Sequence, residues 1–287
     1  MVPRLAAVSL LESLGIEKPV VQAGLGGGLS RHELAAAVSE AGGLGTIAVL
    51  GPEAIAAELE AARALTAQPI AVNLLLPFAE PSWFEAAEAA DVVVTFWGEP
   101  ERRAGNVWIH QCGSVEEARA AHLAGADAAI VQGIEAGGHV RGERPALELL
   151  DRARDALPAD FPLLPAGGIA ERGDVRRALD GGAEGAVAGT RFLLSEESRA
   201  HPEYKRRLLD ARETLLTELF GLGWPAPHRV VPNAATERGG TAPLPPLAAT
   251  DDGPAELVDE GPLYAGETVA RTDDIRPAAE IVAALTP

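Results

Sequence analysis

The sequence predicts an α/β fold: a (β/α)8 TIM barrel with a C-terminal helical and proline-rich extension. Three observations lead there. Eight apolar runs of four to six residues alternate with alanine-rich amphipathic segments, the pattern of parallel strands joined by crossover helices. The chain of 287 residues exceeds the roughly 250 that one barrel needs, which leaves length for an extension. Two glycine-bearing turns, Ala166-Gly167-Gly168-Ile169 and Ala188-Gly189-Thr190, follow the last two runs, where barrels commonly hold a phosphate.

The eight runs are Pro19 to Gln22, Leu44 to Ala48, Ile70 to Leu75, Asp91 to Thr95, Val107 to Gln111, Ala128 to Gln132, Pro162 to Ala166 and Gly185 to Ala188. Helical periodicity fills most gaps, over Arg31 to Ala41, Pro52 to Leu65, Pro81 to Ala90, Val115 to Ala124, Pro145 to Leu157 and Gly173 to Asp180. Ser30 and Ser114 stand where N-caps belong. Phe96 to Asn106 contains glycines and a proline and is too short for a full crossover helix, so a reduced connection is expected there. Beyond Thr190 the pattern predicts a long helical segment over Ser195 to Phe220. A proline- and glycine-rich excursion follows over Leu222 to Pro262, a lid or a subunit contact, and then a closing helix over Thr272 to Leu285 with Asp273 or Asp274 near its start. The expected organisation is residues 1–194 as barrel core, 195–262 as an extension over the barrel, and 263–287 as a closing segment packed on it.

Composition excludes several classes of partner. A formal charge of −18 opposes nucleic acid and anionic membranes, both of which attract basic patches. Cys112 is the single cysteine, so no internal disulfide can form, and its place in an apolar run makes it a structural thiol. The stretch Met1 to Ser13 lacks a basic region, a long apolar core and a cleavage site. No segment approaches the roughly 20 apolar residues of a membrane span. These features predict a cytoplasmic protein.

In a barrel the reacting groups sit at the C-terminal ends of strands. That rule collects Gln22-Ala23-Gly24, Asn73, Gln132-Gly133 and Glu135-Ala136-Gly137-Gly138-His139. Glycine lets backbone N–H groups approach an anion closely, and a helix start adds its positive dipole end, so Gly167, Gly168, Gly189 and Thr190 read as a phosphate cradle. His139 follows two glycines in a loop, where an imidazole can face a pocket and move a proton near neutral pH; from position alone a surface histidine without a role is equally open. His110, near a strand end, is its rival. The amides of Asn73 and Gln132 either bond a planar heterocycle or satisfy loop backbone. Glu135 reads better as a turn cap than as an orienting group, and Thr190 either completes the anion site or caps the next helix.

Other chemistries find no motif. There is no Walker lysine, no paired-cysteine metal site, no HExxH and no GxSxG, and no metal is expected. The run Gly24-Leu25-Gly26-Gly27-Gly28 fails the dinucleotide pattern at Leu29. No lysine lies between Lys18 and Lys205, which excludes Schiff-base lyase chemistry within the barrel.

Several segments in order carry a family resemblance. They are Val20-Val21-Gln22-Ala23-Gly24, Glu40-Ala41-Gly42-Gly43-Leu44-Gly45, Val72-Asn73-Leu74, Gln132 through His139, Ala166-Gly167-Gly168-Ile169, and Gly189-Thr190-Arg191-Phe192 continuing through Glu196-Glu197-Ser198 to His201-Pro202-Glu203-Tyr204-Lys205. Over roughly Pro19 to Lys205 the chain resembles nitronate monooxygenase, formerly 2-nitropropane dioxygenase, a family of FMN-dependent barrel oxidoreductases. The resemblance implies FMN with its phosphate on Gly167, Gly168, Gly189 and Thr190, with Ala166 also among the cofactor-binding residues. Its ring is implied near Gln22, Ala23, Gly24, Asn73 and Gln132, with Gly137 and Gly138 beside it. His139 takes the place of the family's catalytic histidine, acting on a nitroalkane or nitronate with O2 as electron acceptor. Three departures touch the substrate side: Gly24 where the family often has methionine, Arg141 two residues after His139 instead of directly after it, and the short Phe96 to Asn106 link. The rival reading is the FMN-containing enoyl-acyl-carrier-protein reductase group, which would draw on NAD(P)H; the negative charge disfavours its acidic carrier. The natural substrate and any homo-oligomer are left open by the sequence.

Overall fold

The computed structural model describes residues 9–101, 106–222, 224–242 and 248–287. Its strands are, in chain order, β1 (Val20–Gln22), β2 (Gly45–Ile47), β3 (Ile70–Leu75), β4 (Val92–Phe96), β5 (Val107–Cys112), β6 (Ala128–Gln132), the two-residue β7 (Gly138–His139), β8 (Leu163–Ala166), β9 (Ala186–Ala188), β10 (Leu215–Thr217), β11 (His228–Val231) and β12 (Leu263–Tyr264). Eight of them pair in parallel in the order β1-β9-β8-β6-β5-β4-β3-β2. The sheet closes on itself between β1 and β2, where Gln22 N donates to Leu44 O at 2.9 Å and Leu44 N donates to Val20 O at 3.0 Å. The predicted TIM barrel is therefore present; six of the eight predicted runs contain one of these strands, and β4 and β5 each extend one residue past theirs, to Phe96 and Cys112.

Alternation of side chains along each strand sorts the apolar residues into two layers. Val21, Ala71, Val92, Val94, Ile109, Ala128, Ile130, Leu164 and Val187 fill the barrel interior, joined by Leu11 and Ile16 from the segment before β1. Val20, Trp108, Ala129, Val131, Leu163 and Ala186 face outward under the helices. Those helices show why they form where they do. Pro52 opens the helix Pro52–Leu65 at a position needing no N–H, and Ile55, Leu59 and Ala62 share its buried face. The helix Val115–Leu123 starts on Ser114, whose hydroxyl accepts from Glu117 N. Ser30 is no cap: its hydroxyl accepts from Leu25 N at 3.0 Å, and the helix His32–Glu40 starts after Arg31.

The connection from β4 to β5 contains no helix among its described residues; residues 102–105 lie outside them. Two predicted helices are shorter than expected. Pro202–Asp210 is the helical part of the 195–220 segment, because Leu215–Thr217 pairs instead with β11; a long-range ladder overrides local helix propensity. The closing helix begins at Ala278, since Pro277 keeps the residue before it out of the helical region. Its first N–H is held by the Glu197 carboxylate at 2.8 Å, while Asp274 pairs with the buried Arg191 at 2.6 Å. The extension and the closing segment share a core, in which Tyr204, Leu208, Val231, Leu263 and Val269 pack on Leu29, Leu193 and Leu194 of the barrel side.

Candidate active site

At the C-terminal ends of the barrel strands lies a cavity of about 510 Å3. Ala23, Gly24, Asn73, Gln132, Gly137, Gly138, His139, Ala166, Gly167, Gly168, Gly189 and Thr190 all line it. Gln22 does not. Val21 and Ala23 face inward, so alternation turns Gln22 outward; its side chain is fully buried, accepting from Thr46 N at 2.8 Å and donating to Ala23 O. His110 is likewise on an outward register, against Thr95 at 2.8 Å, and lines no part of the cavity. Burial above all pushes its pKa down to about 4.

The two glycine turns form one pole of the cavity. Gly167 has φ +107° and Gly168 φ +76°, conformations closed to most side chains. A Cβ on Gly167 would also lie 3.1 Å from Ala136 N. The N–H groups of Gly167, Gly168 and Ile169 donate to no acceptor among the described residues. Thr190 Oγ1 accepts from Gly266 N at 2.8 Å, which leaves the hydroxyl proton available to an anion. Around the ring β8 and β9 lie across from β3 and β4. There the lining turns apolar, with Phe78, Trp83 and Phe96.

His139 is placed by two devices. As part of β7 it pairs antiparallel with His228 of β11, and Val140 N donates to Pro227 O at 2.8 Å. From the barrel side, Gln132 donates through Nε2 to His139 O at 2.9 Å and accepts at Oε1 from Arg141 N at 2.8 Å. The Gln132 amide thus fixes the histidine loop, the second of the two roles open to it in the sequence. Trp224 lies against the imidazole with ring centroids 4.2 Å apart and planes tilted by 31°; His228 and Tyr264 stand at 5.5 and 5.6 Å. Burial first, and the neighbouring His228 second, push the His139 pKa down to about 3, so the ring is neutral at physiological pH. Burial also lowers the His228 pKa; its Nδ1 faces Ala226 O at 3.0 Å while Nε2 accepts from Phe220 N at 3.4 Å. That arrangement puts the proton on Nδ1.

Glu135 does what a cap does: its carboxylate accepts from Ala146 N at 2.9 Å, at the start of the helix Ala146–Ala156. It is the single acidic side chain on the lining, and no lysine or arginine joins it among the described residues. Gly24 has no room to spare, because a Cβ there would fall 2.5 Å from Asn73 Cβ. Where the family often carries methionine, this chain packs the Asn73 side chain. Leu222, Trp224, Ala248 and Pro262 of the extension and Tyr264, Ala265, Gly266 and Thr268 of the closing segment complete the lining, so both segments contribute to the pocket wall. The sequence reading missed them. A tryptophan inside a stretch otherwise built of turns, at Trp224-Pro225, was the available signal.

Comparison with known proteins agrees with this geometry. The family model for nitronate monooxygenase matches residues 8–96 and 87–287. A nitronate monooxygenase from Pseudomonas aeruginosa is 31% identical, covering 95% of this chain and 96% of the relative. Among solved structures, a nitroalkane oxidase from Streptomyces ansochromogenes superimposes with a TM-score of 0.81 at 31% identity, covering 96% of each chain. FabK from Thermotoga maritima gives a TM-score of 0.83 at 28% identity, over 98% of this chain and 95% of that one. No helix among the described residues is long and apolar enough to cross a membrane. With a family model spanning nearly its whole length and a relative matched end to end, this enzyme belongs to the nitronate monooxygenase family.

Proposed function

We propose that the protein oxidises nitronates, and more slowly nitroalkanes, with FMN as its cofactor and O2 as electron acceptor. One observation carries the reading: a neutral, half-buried His139 shares a cavity with two glycine turns, and the N–H groups of Gly167, Gly168 and Ile169 donate to no acceptor among the described residues. The glycine pole fits the FMN phosphate. Gly167, Gly168, Ile169 and Thr190 would hold it through main-chain amides and one hydroxyl, without a cationic side chain. Bound FMN would supply the electron transfer from substrate to oxygen. The residues of the chain supply the rest. Trp224, Tyr264 and the extension keep water from the imidazole. His139, neutral without prior deprotonation, can take an α-proton or donate a hydrogen bond to a nitronate oxygen. Its depressed basicity makes proton abstraction from a neutral nitroalkane the harder task, so an already anionic nitronate is the better substrate.

The test is anaerobic mixing of the FMN-loaded protein with nitronates, nitroalkanes, NADH and NADPH in turn, followed at the flavin absorbance. Bleaching by nitronate, with reoxidation on admission of oxygen, is the expected result. Bleaching by NAD(P)H alone would instead assign the protein to the reductase reading.

A further inference from the structure

We infer that the substrate of this site carries its single charge at the reacting end and an apolar tail that leaves the cavity over Leu50, Phe78 and Leu222. The inference rests on the nitronate reading for the chemistry of the reacting end, and on the cavity wall for the tail. Part of that wall is a run of ring contacts. Trp224 lies against His139 at 4.2 Å, and Phe78 meets Trp224 edge-on at 5.1 Å. Leu50 and Leu222 line the same cavity, and both are exposed.

The rim is unusual for this surface. Leu222 is 62% exposed, Leu50 44% and Phe78 41%, three of the eight large apolar side chains left exposed among the described residues. The other five lie away from the cavity. Apolar side chains grouped at the mouth of a site mark a surface that a ligand covers. The glycine pole lies across the barrel ring at β8 and β9, which leaves the aromatic half for the substrate.

Charge sets the second half of the inference. No lysine or arginine lines the cavity among the described residues, Glu135 is its one acidic side chain, and the chain carries a net −18. A carboxylate on the substrate in addition to the nitronate would be desolvated without a partner, a penalty that a methyl-terminated tail does not meet. A dianionic nitronate such as propionate 3-nitronate is therefore a poor substrate, and alkyl nitronates improve with length.

Two measurements on the FMN-loaded protein decide it. The first is kcat/KM for the nitronates of nitroethane, 1-nitrobutane, 1-nitrohexane and 1-nitrooctane beside propionate 3-nitronate. The second is quenching of tryptophan fluorescence by unreactive carboxylates, butanoate, hexanoate and octanoate against succinate. Both series should rise about fourfold per added methylene, with the dianions at least tenfold weaker than monoanions of equal length. Leu222→Ser should cut the octyl-to-ethyl ratio about threefold, while Leu65→Ser, on an exposed helix face away from the cavity, leaves the ratio as it was. Flat chain-length series, or succinate binding as tightly as butanoate, would overturn the inference. Rising carboxylate affinity without turnover of any nitronate would support the tail site and sink the nitronate reading instead.

Discussion

His139 joins a neutral imidazole to an address on a loop, and each property has a separate cause. Burial among Trp224, His228 and Tyr264 removes the charge, while β7 pairing and the Gln132 amide fix the position. His139→Asn keeps the loop short and polar, so FMN should stay bound. Turnover of neutral nitroalkanes should fall by about 100- to 10,000-fold, the usual worth of a general base, with nitronate turnover reduced far less because that substrate has already lost its proton. Steady-state rates on both substrates, with flavin content read from the absorbance spectrum, check this; undiminished nitroalkane turnover counts against the base. Of the residues that matter at this scale, His139, Asn73, Gly167, Gly168, Gly189 and Thr190 were legible as polar or glycine residues at strand ends. Gln22 was misplaced for want of one test. Its neighbours Val21 and Ala23 are the inward pair, and alternation alone excludes it from the cavity.

The antiparallel sheet of β7, β10, β11 and β12 is the element on which the site depends, because it ties a barrel loop to a segment about ninety residues later. Arg229 locks the junction. Its guanidinium donates to Ile134 O at 2.8 Å and Thr214 Oγ1 at 3.2 Å and pairs with Glu267 at 3.1 Å, while its side chain is buried. Arg229→Ala leaves the Ile134 carbonyl without this donor, at a cost of about 1–3 kcal/mol. The expected outcome is a lower urea midpoint and a lower kcat with flavin retained; an unchanged midpoint would show that the junction holds without it. None of this pairing was readable beforehand. Leu215–Thr217 fits a helical stretch as well as a strand, and only the partner His228–Val231 decides between them.

Across the whole molecule, three histidines are folded into places where burial holds them neutral: His139 at about 3, His110 at about 4, and His228 below its ordinary value. In the unfolded chain each imidazole gains a proton below about 6.5. The unfolded state therefore binds more protons between that value and the folded ones, and stability falls as pH drops from about 6.5 toward 5, a window in which ordinary carboxylates do not yet titrate. For His139 and His110 the slope approaches about 1.4 kcal/mol per pH unit each. Urea unfolding at pH 7, 6 and 5 should show the decline, and His139→Asn should make it shallower; equal slopes would mean that the imidazole is not held neutral. The amino-acid sequence by itself determined the barrel, because eight apolar runs with helical spacers have few ways to bury both faces of a parallel sheet. It also determined the glycine pole of the cavity, since glycine turns at strand ends are local chemistry. Tertiary structure alone decided which strand-end residues face inward, that Trp224 of the extension and Tyr264 of the closing segment line the cavity, and that His139 is neutral. The reason is physical: orientation, cover and desolvation are properties of contacts between segments far apart in the chain, and no local pattern encodes them.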